Sequence, residues 1–149
     1  VKELSDWVDY VNLPANKGPM GMLRVQNGRT EPWNVRYWGV GNETWGCGGN
    51  MTPQHYANLY RQYATFMADW DNSARIFRVV SGANGDDMNW TEVMMKEVPL
   101  SLMEGLSLHH YAVIDWSAKG SATRFTEAEY FKTMQQAWKM DDIVTRHAA

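Results

Sequence analysis

Asn42 and Glu43 are the pair of residues in this chain best suited to chemistry. They follow the apolar segment 37–40 and the glycine at position 41. That context predicts a place at the carboxyl end of a β-strand, where α/β folds hold their reactive groups. A carboxyl group beside an amide suits sugar hydrolysis, because the carboxyl can move a proton while the amide holds a hydroxyl. The same residues are equally compatible with a turn that ends in a solvated or salt-bridged glutamate.

Three widely spaced strands would position this pair. Short apolar runs predict β-strands over residues 35–40, 76–81 and 106–111, whereas residues 15–34 are typical of a loop. Each interval between strands is long enough for a crossover helix. Three such units favour an α/β class with a parallel sheet or a barrel.

Helix signals occupy the segments around these strands. Apolar residues at helical spacing predict a helix that closes near residue 13, and Thr52-Pro53 supplies an N-cap and a first-turn proline for a second helix reaching Trp70. A shorter helix follows over about 89–98, and Thr126-x-x-Glu129 is a capping box for the last one. The last helix is predicted to bear an apolar face made of Tyr130, Met134, Ala137, Trp138 and Ile143.

The carboxyl ends of these strands should meet at one edge of the sheet, because crossovers between parallel strands are right-handed. At that edge the sequence places Trp45 beside the Asn-Glu pair, and His109 and Tyr111 on the third strand. His109 and Tyr111 are two positions apart, so a strand would direct both to the same side and His110 to the other. His109 is also compatible with a hydrogen-bonded core histidine.

Composition and spacing argue against several other functions. The net charge of −3 offers no basic stripe for nucleic acid, and no apolar run approaches the ~20 residues of a membrane span. The histidines and Cys47 do not fall at zinc-ligand spacings, so no metal is expected. Cys47, which has no evident base partner, is expected to pack as a small side chain in its loop rather than to act as a nucleophile.

The segment 37–46, Tyr-Trp-Gly-Val-Gly-Asn-Glu-Thr-Trp-Gly, resembles the acid/base strand of the α-L-arabinofuranosidases of glycoside hydrolase family 51. The likeness continues through Cys-Gly-Gly-Asn-Met-Thr-Pro at 47–53. Ser-Leu-His-His-Tyr at 107–111 is similar to a later strand of the same enzymes, and the segments 7–12 and 125–149 share the likeness.

The resemblance implies a fold and a set of roles. The chain would be a partial (β/α)8 TIM barrel, about three βα units corresponding to barrel strands 4–6. Residues 1–149 would then be a fragment of a single catalytic domain, with the family's β-sandwich domain absent. Glu43 would match the general acid/base, and Asn42 the neighbour that binds the sugar 2-hydroxyl. His109 and Tyr111 would line the site, with Trp45 also contacting substrate.

One departure from the family pattern concerns the nucleophile. In the family, a glutamate in a Glu-Trp-Gly context at the end of the seventh barrel strand attacks the sugar, and this sequence holds no equivalent. Both ends of the chain look cut. We therefore expect these residues to carry the acid/base half of a site and to be inactive alone. No metal or organic cofactor is implied, because two carboxylates suffice for the reaction.

The parent protein is accordingly expected to be a retaining glycosidase that releases terminal α-L-arabinofuranosyl residues from arabinose-containing oligosaccharides and polysaccharides. Two alternatives stay open: a related barrel glycosidase acting on glucan or xylan, and a non-catalytic fragment. Unpaired strand edges would favour a homo-oligomer. The sequence shows no signal peptide and leaves open a bacterial cytoplasmic or a secreted or periplasmic location.

Overall fold

A computed structural model describes residues 1–68 and 75–149. Its centre is a parallel sheet of three strands in the order β1-β2-β3. The strands are β1 (Tyr37–Val40), β2 (Phe77–Asn84) and β3 (Gly105–His109). The predicted α/β class with parallel strands is confirmed. Trp70, predicted to lie on a helix face, falls outside the described residues.

Five α-helices occur among the described residues: α1 (Lys2–Asn12), α2 (Pro19–Gln26), α3 (Pro53–Phe66), α4 (Met88–Glu97) and α5 (Glu127–His147). The caps predicted for α3 and α5 are present. Thr52 Oγ1 accepts from the His55 N–H at 3.3 Å, and Thr126 and Glu129 form the complete capping box. None of the helices in the described part of the chain is long and apolar enough to cross a membrane.

The prediction of a loop over residues 15–34 is wrong, because α2 lies within this segment. The segment contains turn-forming glycines and has weak apolar periodicity, so its sequence does not indicate a helix. Tertiary contacts fix it instead: the fully buried Arg24 guanidinium donates to the carbonyls of Tyr10, Leu13 and Thr30 at 2.8, 2.8 and 3.0 Å. Hydrogen bonds of this kind are invisible to a local pattern.

Strand boundaries also differ from the prediction, and side chains explain the first of them. Val35 is not in β1, because its backbone N–H and carbonyl bond the Asn12 side chain at 2.7 and 2.8 Å. The second strand continues to Asn84 through an irregularity after Ser81. The third strand ends at His109, two residues earlier than predicted.

The core lies where α3 and α4 pack over β1 and β2. Its buried members include Val40, Tyr56, Val80, Trp90 and Met94. The α5 helix differs, because Ile143 is its one buried residue among those described. Its other predicted apolar positions Tyr130, Met134 and Trp138 are 47%, 44% and 80% exposed. The predicted apolar face of α5 is therefore solvent-facing and not part of this core.

Candidate active site

The chain bends sharply where it leaves β1. Gly41 has φ +98° and Glu43 has φ +46°, both in the left-handed region. A Cβ at position 41 would approach Thr44 Cγ2 to 2.9 Å, so glycine is required there on steric grounds as well. A non-glycine residue held left-handed costs roughly 1–2 kcal/mol. At Glu43 two hydrogen bonds oppose that cost, since its carbonyl accepts from the N–H groups of Gly46 and Gly48 at 2.8 and 3.0 Å.

This bend places the Glu43 carboxyl group against the end of β3. Its Oε1 lies 3.1 Å from His109 Nδ1, although 66 residues separate the two in sequence. The two side chains are only 15% and 20% exposed. An ionised carboxylate can only accept a hydrogen bond, so Nδ1 carries the proton when Glu43 is ionised. The structure thus brings together two of the predicted site residues from different strands.

The second oxygen of the same carboxyl group has a partner that the sequence did not predict. Cys47 Sγ donates to Glu43 Oε2 at 3.3 Å. Cys47 is exposed, so the prediction that it packs inside its loop is wrong. The hydrogen bond to Glu43 raises the pKa of the Cys47 thiol, with further contributions from desolvation and from the charge of the carboxylate.

Trp45 connects the first two strand exits and supports the third. Its Nε1 donates to the Gly82 carbonyl at 3.0 Å, and its ring meets the His109 ring edge to face, with centroids 6.1 Å apart. The ring is partly buried. In this geometry Trp45 holds His109 in place, in addition to any contact it makes with a ligand.

Asn42 and Tyr111 are both exposed. Asn42 lies within the bend, between Gly41 and Glu43. Tyr111 lies beyond the end of β3, so strand alternation does not apply to it, and the argument that it shares a side with His109 is wrong. Its ring, 55% exposed, packs edge to face against Trp116 at 5.0 Å. His110 turns to α5, where its Nε2 lies 2.7 Å from the Gln136 carbonyl.

A set of buried hydrogen bonds supports the bend from the side of the core, and the sequence patterns did not predict it. The Tyr56 hydroxyl donates to the Val40 carbonyl at 2.6 Å and accepts from the Ser81 N–H at 2.8 Å. Trp90 Nε1 donates to the Ser81 carbonyl at 2.9 Å and stacks on Tyr56. Burial raises the pKa of Tyr56 to about 12. The available signal was general: buried tyrosines and tryptophans need polar partners.

An open pocket of about 340 Å³ adjoins these strand ends. Polar and aromatic side chains line it, among them Asn84, Asp115, Tyr111 and Trp116. Asn84 pairs with His109 in the sheet register, which connects the pocket to the Glu43 contact. Such a mixture of hydrogen-bonding groups and exposed rings is suited to a neutral, hydroxyl-rich ligand. No group of three or more metal-ligating side chains occurs among residues 1–68 and 75–149.

Sequence comparisons give consistent relatives. A family model described as alpha-L-arabinofuranosidase 1 domain matches residues 1–137. The intracellular exo-alpha-L-arabinofuranosidase of Bacteroides ovatus is 45% identical over 148 residues, covering 99% of this chain and 28% of that protein. Alpha-L-arabinofuranosidase C of Emericella nidulans is 33% identical over 111 residues, covering 73% of this chain and 21% of that protein.

Solved structures agree with the sequence comparisons. The GH51 arabinofuranosidase of Xanthomonas axonopodis pv. citri superposes with a TM-score of 0.91 at 39% identity, over 99% of this chain and 29% of that one. The α-L-arabinofuranosidase of Thermotoga maritima, solved with arabinose, gives 0.65 at 25% identity over 97% and 29%. The chain therefore spans less than a third of the length of these relatives.

Proposed function

The chain belongs to the α-L-arabinofuranosidases of glycoside hydrolase family 51, and on that premise we propose that it supplies the general acid/base of a retaining, exo-acting α-L-arabinofuranosidase. The parent protein would release terminal α-L-arabinofuranosyl residues from arabinose-containing oligosaccharides and polysaccharides. The single observation that carries the proposal is the Glu43 carboxyl group, partly buried at a strand exit and held by His109 at 3.1 Å.

Glu43 has the surroundings that a proton-transfer group needs. In the first step it would protonate the glycosidic oxygen as the bond to the sugar breaks. In the second it would remove a proton from the water that releases the sugar. His109 holds Oε1, whereas the partner of Oε2 is the exposed Cys47, so Oε2 is the oxygen that we assign to the substrate. Low exposure limits competing hydrogen bonds from bulk water.

Substrate contacts would come from the residues around Glu43. We assign Asn42, exposed within the bend, to the sugar 2-hydroxyl. Trp45 packs edge to face on His109, and Tyr111 lines the adjoining open pocket. Rings and polar groups placed together in this way suit a furanose and its leaving group.

The nucleophile would come from outside these 149 residues. A retaining mechanism needs a second carboxyl group about 5–5.5 Å from the first. The described side-chain partners of Glu43 are an imidazole and a thiol, neither of which is a carboxyl group. We place β1, β2 and β3 as barrel strands 4, 5 and 6 of one (β/α)8 catalytic domain, whose remaining strands would complete the site. The chain alone would then be inactive.

Isolated from those strands, the chain would also self-associate. The exposed apolar side chains of α5 and the free edges of β1 and β3 are surfaces that a complete barrel would cover. Light scattering of the purified chain tests this, with a species larger than the monomer expected. A monodisperse monomer would contradict it.

The function is tested with 4-nitrophenyl α-L-arabinofuranoside and the full-length parent protein. We expect Glu43→Gln to lower kcat by about 10²- to 10⁴-fold, the usual contribution of general acid–base catalysis, because the water that releases the sugar needs a base whatever the leaving group. Glu31→Gln, which alters an exposed loop glutamate, is the matched control and should retain activity. Full activity of Glu43→Gln would refute the assignment.

A second assay tests whether the chain lacks the nucleophile. Residues 1–149, purified alone and folded by circular dichroism, should hydrolyse no 4-nitrophenyl α-L-arabinofuranoside. Turnover that disappears in Glu43→Gln would mean that the second carboxyl group comes from within the chain or from a second copy of it.

A further inference from the structure

A tight turn brings the Cys47 thiol to the carboxyl group of Glu43, the candidate acid/base. Gly46 and Gly48 both donate their backbone N–H groups to the Glu43 carbonyl, so the residue between them is folded back towards the Glu43 side chain. A Cβ at position 48 would lie 1.8 Å from the Asn42 carbonyl oxygen, so only glycine permits this close approach. The thiol reaches Oε2 at 3.3 Å as a result of this turn.

A packing role does not account for the thiol. Structural cysteines are among the most buried of all residues, whereas Cys47 is exposed. What distinguishes it is its partner: the carboxyl group of Glu43 has one oxygen on His109 and the other on Cys47. A carboxyl group held at both oxygens cannot rotate freely about its Cγ–Cδ bond.

We propose that Cys47 is a positioning residue, which fixes the rotation of the Glu43 carboxyl group and aims Oε2 at the leaving-group oxygen of the substrate. Each carboxylate oxygen has two lone pairs, so the thiol occupies one on Oε2 and leaves the other for the substrate. The inference rests on the proposed role of Glu43 as general acid. Through this contact the thiol governs proton delivery to the leaving group.

This role predicts a dependence on the leaving group that a structural role does not. A poor leaving group, such as unsubstituted phenol, needs proton donation as its bond breaks, and a good one, such as 4-nitrophenol, needs it far less. Misaligning the acid should therefore lower kcat/KM mainly for the phenyl substrate. The parameter kcat/KM is used because it reports the first bond-breaking step.

The experiment compares Cys47→Ala and Cys47→Ser in the full-length parent protein on phenyl and 4-nitrophenyl α-L-arabinofuranosides. We expect Cys47→Ala to lose about tenfold on the phenyl substrate, as for a hydrogen bond to a charged group, and less than about threefold on the other. Cys47→Ser keeps a donor and should recover most of the loss. Thr52→Ala, which removes the α3 cap, controls for loosening of the loop. It should affect both substrates equally.

The outcomes separate this inference from the proposed function. Equal losses on both substrates in Cys47→Ala, with Glu43→Gln impaired, would overturn the positioning role and leave Glu43 as the acid/base. Unimpaired Glu43→Gln would overturn the proposed function and, with it, the premise of the inference.

A chemical measurement checks the contact without relying on activity. The carboxylate raises the pKa of the Cys47 thiol, so its replacement in Glu43→Gln should increase the thiolate fraction at pH 8 and speed alkylation by iodoacetamide. The rate is followed by mass spectrometry of the peptide that contains Cys47. An unchanged rate would mean that the hydrogen bond is not formed in solution, and would overturn the proposal.

Discussion

The exit of β1 is held by two groups of residues that differ in burial and in what they bind. Below the bend, the buried clamp consists of Tyr56, Trp90 and Ser81, and its hydrogen bonds run to backbone groups of β1 and β2. Above the bend, the carboxylate cluster consists of Glu43, His109 and Cys47, and its hydrogen bonds join side chains at the surface. Tyr56 and Trp90 are 3% and 1% exposed, whereas Glu43 and His109 side chains are 15% and 20% exposed.

Because of this difference, one group at the strand exit should mainly stabilise the fold and the other should mainly serve the reaction. Buried groups that bond the backbone can be removed only by leaving unsatisfied partners or a cavity, so their loss affects the free energy of unfolding. Partly exposed groups on one carboxyl group can be replaced by water when they are lost, so their removal should affect the reaction more than the fold.

Trp90→Ala should produce the largest effect, and it acts on the buried clamp. Removing a fully buried indole that stacks on Tyr56 and donates to Ser81 should lower the free energy of unfolding by about 3–5 kcal/mol. Urea unfolding of the full-length protein followed by circular dichroism measures it. A loss below about 1 kcal/mol would show that this indole is not part of a packed core.

Tyr56→Phe tests the clamp more finely, since it deletes one hydroxyl. The Val40 carbonyl and the Ser81 N–H would both lose their partner, at a cost of about 1–3 kcal/mol in the free energy of unfolding. The kcat/KM of the folded variant should fall by less than about threefold. Tyr60→Phe, which deletes a hydroxyl bonded to the Leu102 carbonyl away from the bend, is the matched comparison. Lost activity in Tyr56→Phe with unchanged stability would remove the distinction between the two groups.

His109→Ala tests the carboxylate cluster from its inner side. Loss of the hydrogen bond to Glu43 Oε1 should lower kcat/KM by about tenfold or more, with a change of less than about 1 kcal/mol in the free energy of unfolding. His110→Ala is the control, because the neighbouring imidazole turns to α5. Equal losses of kcat/KM in both variants would show that the contact with Glu43 is not the cause of the loss.

Glu104→Gln should have the smallest effect, and it lies at the opposite, amino-terminal edge of the sheet. The Arg78 guanidinium, bonded to Glu104 at 2.7 Å, lowers the pKa of that carboxyl group. A lowered pKa contributes stability that is present above the ordinary value for glutamate and is lost as the pH falls through the lowered one.

The variant should therefore be less stable than the wild type by about 0.5–1 kcal/mol at pH 7, a difference that shrinks below about pH 4. Thermal unfolding at pH 7 and pH 3.5 measures it, and kcat/KM at pH 7 should not change. A difference that grows at low pH would contradict the sign of the pKa shift.

The sequence predicted the part of the site that depends on chain direction. An apolar run before Gly41 predicted β1, and parallel crossovers predicted that His109 would lie near Glu43. The structure places their side chains in contact. The family resemblance is supported by the sequence and structure comparisons, while the roles of Asn42, Glu43 and the others stay predictions.

What escaped prediction depends on geometry that no local pattern records. The contact of Cys47 requires Glu43 to adopt a positive φ and two backbone N–H groups to converge on its carbonyl. The α2 helix depends on an arginine buried among carbonyl groups of residues outside the helix. The third strand was predicted to run to Tyr111, whereas β3 ends at His109, where its pairing with β2 ends too.

Chemical rescue by azide is the most direct test that Glu43 is the acid/base of a retaining enzyme. In the full-length Glu43→Ala variant, azide needs no base to attack the sugar–enzyme intermediate, so it should restore turnover of 4-nitrophenyl α-L-arabinofuranoside. Nuclear magnetic resonance of the product should then show α-L-arabinofuranosyl azide, with the configuration of the substrate. Absence of rescue, or a product of inverted configuration, would contradict the assignment.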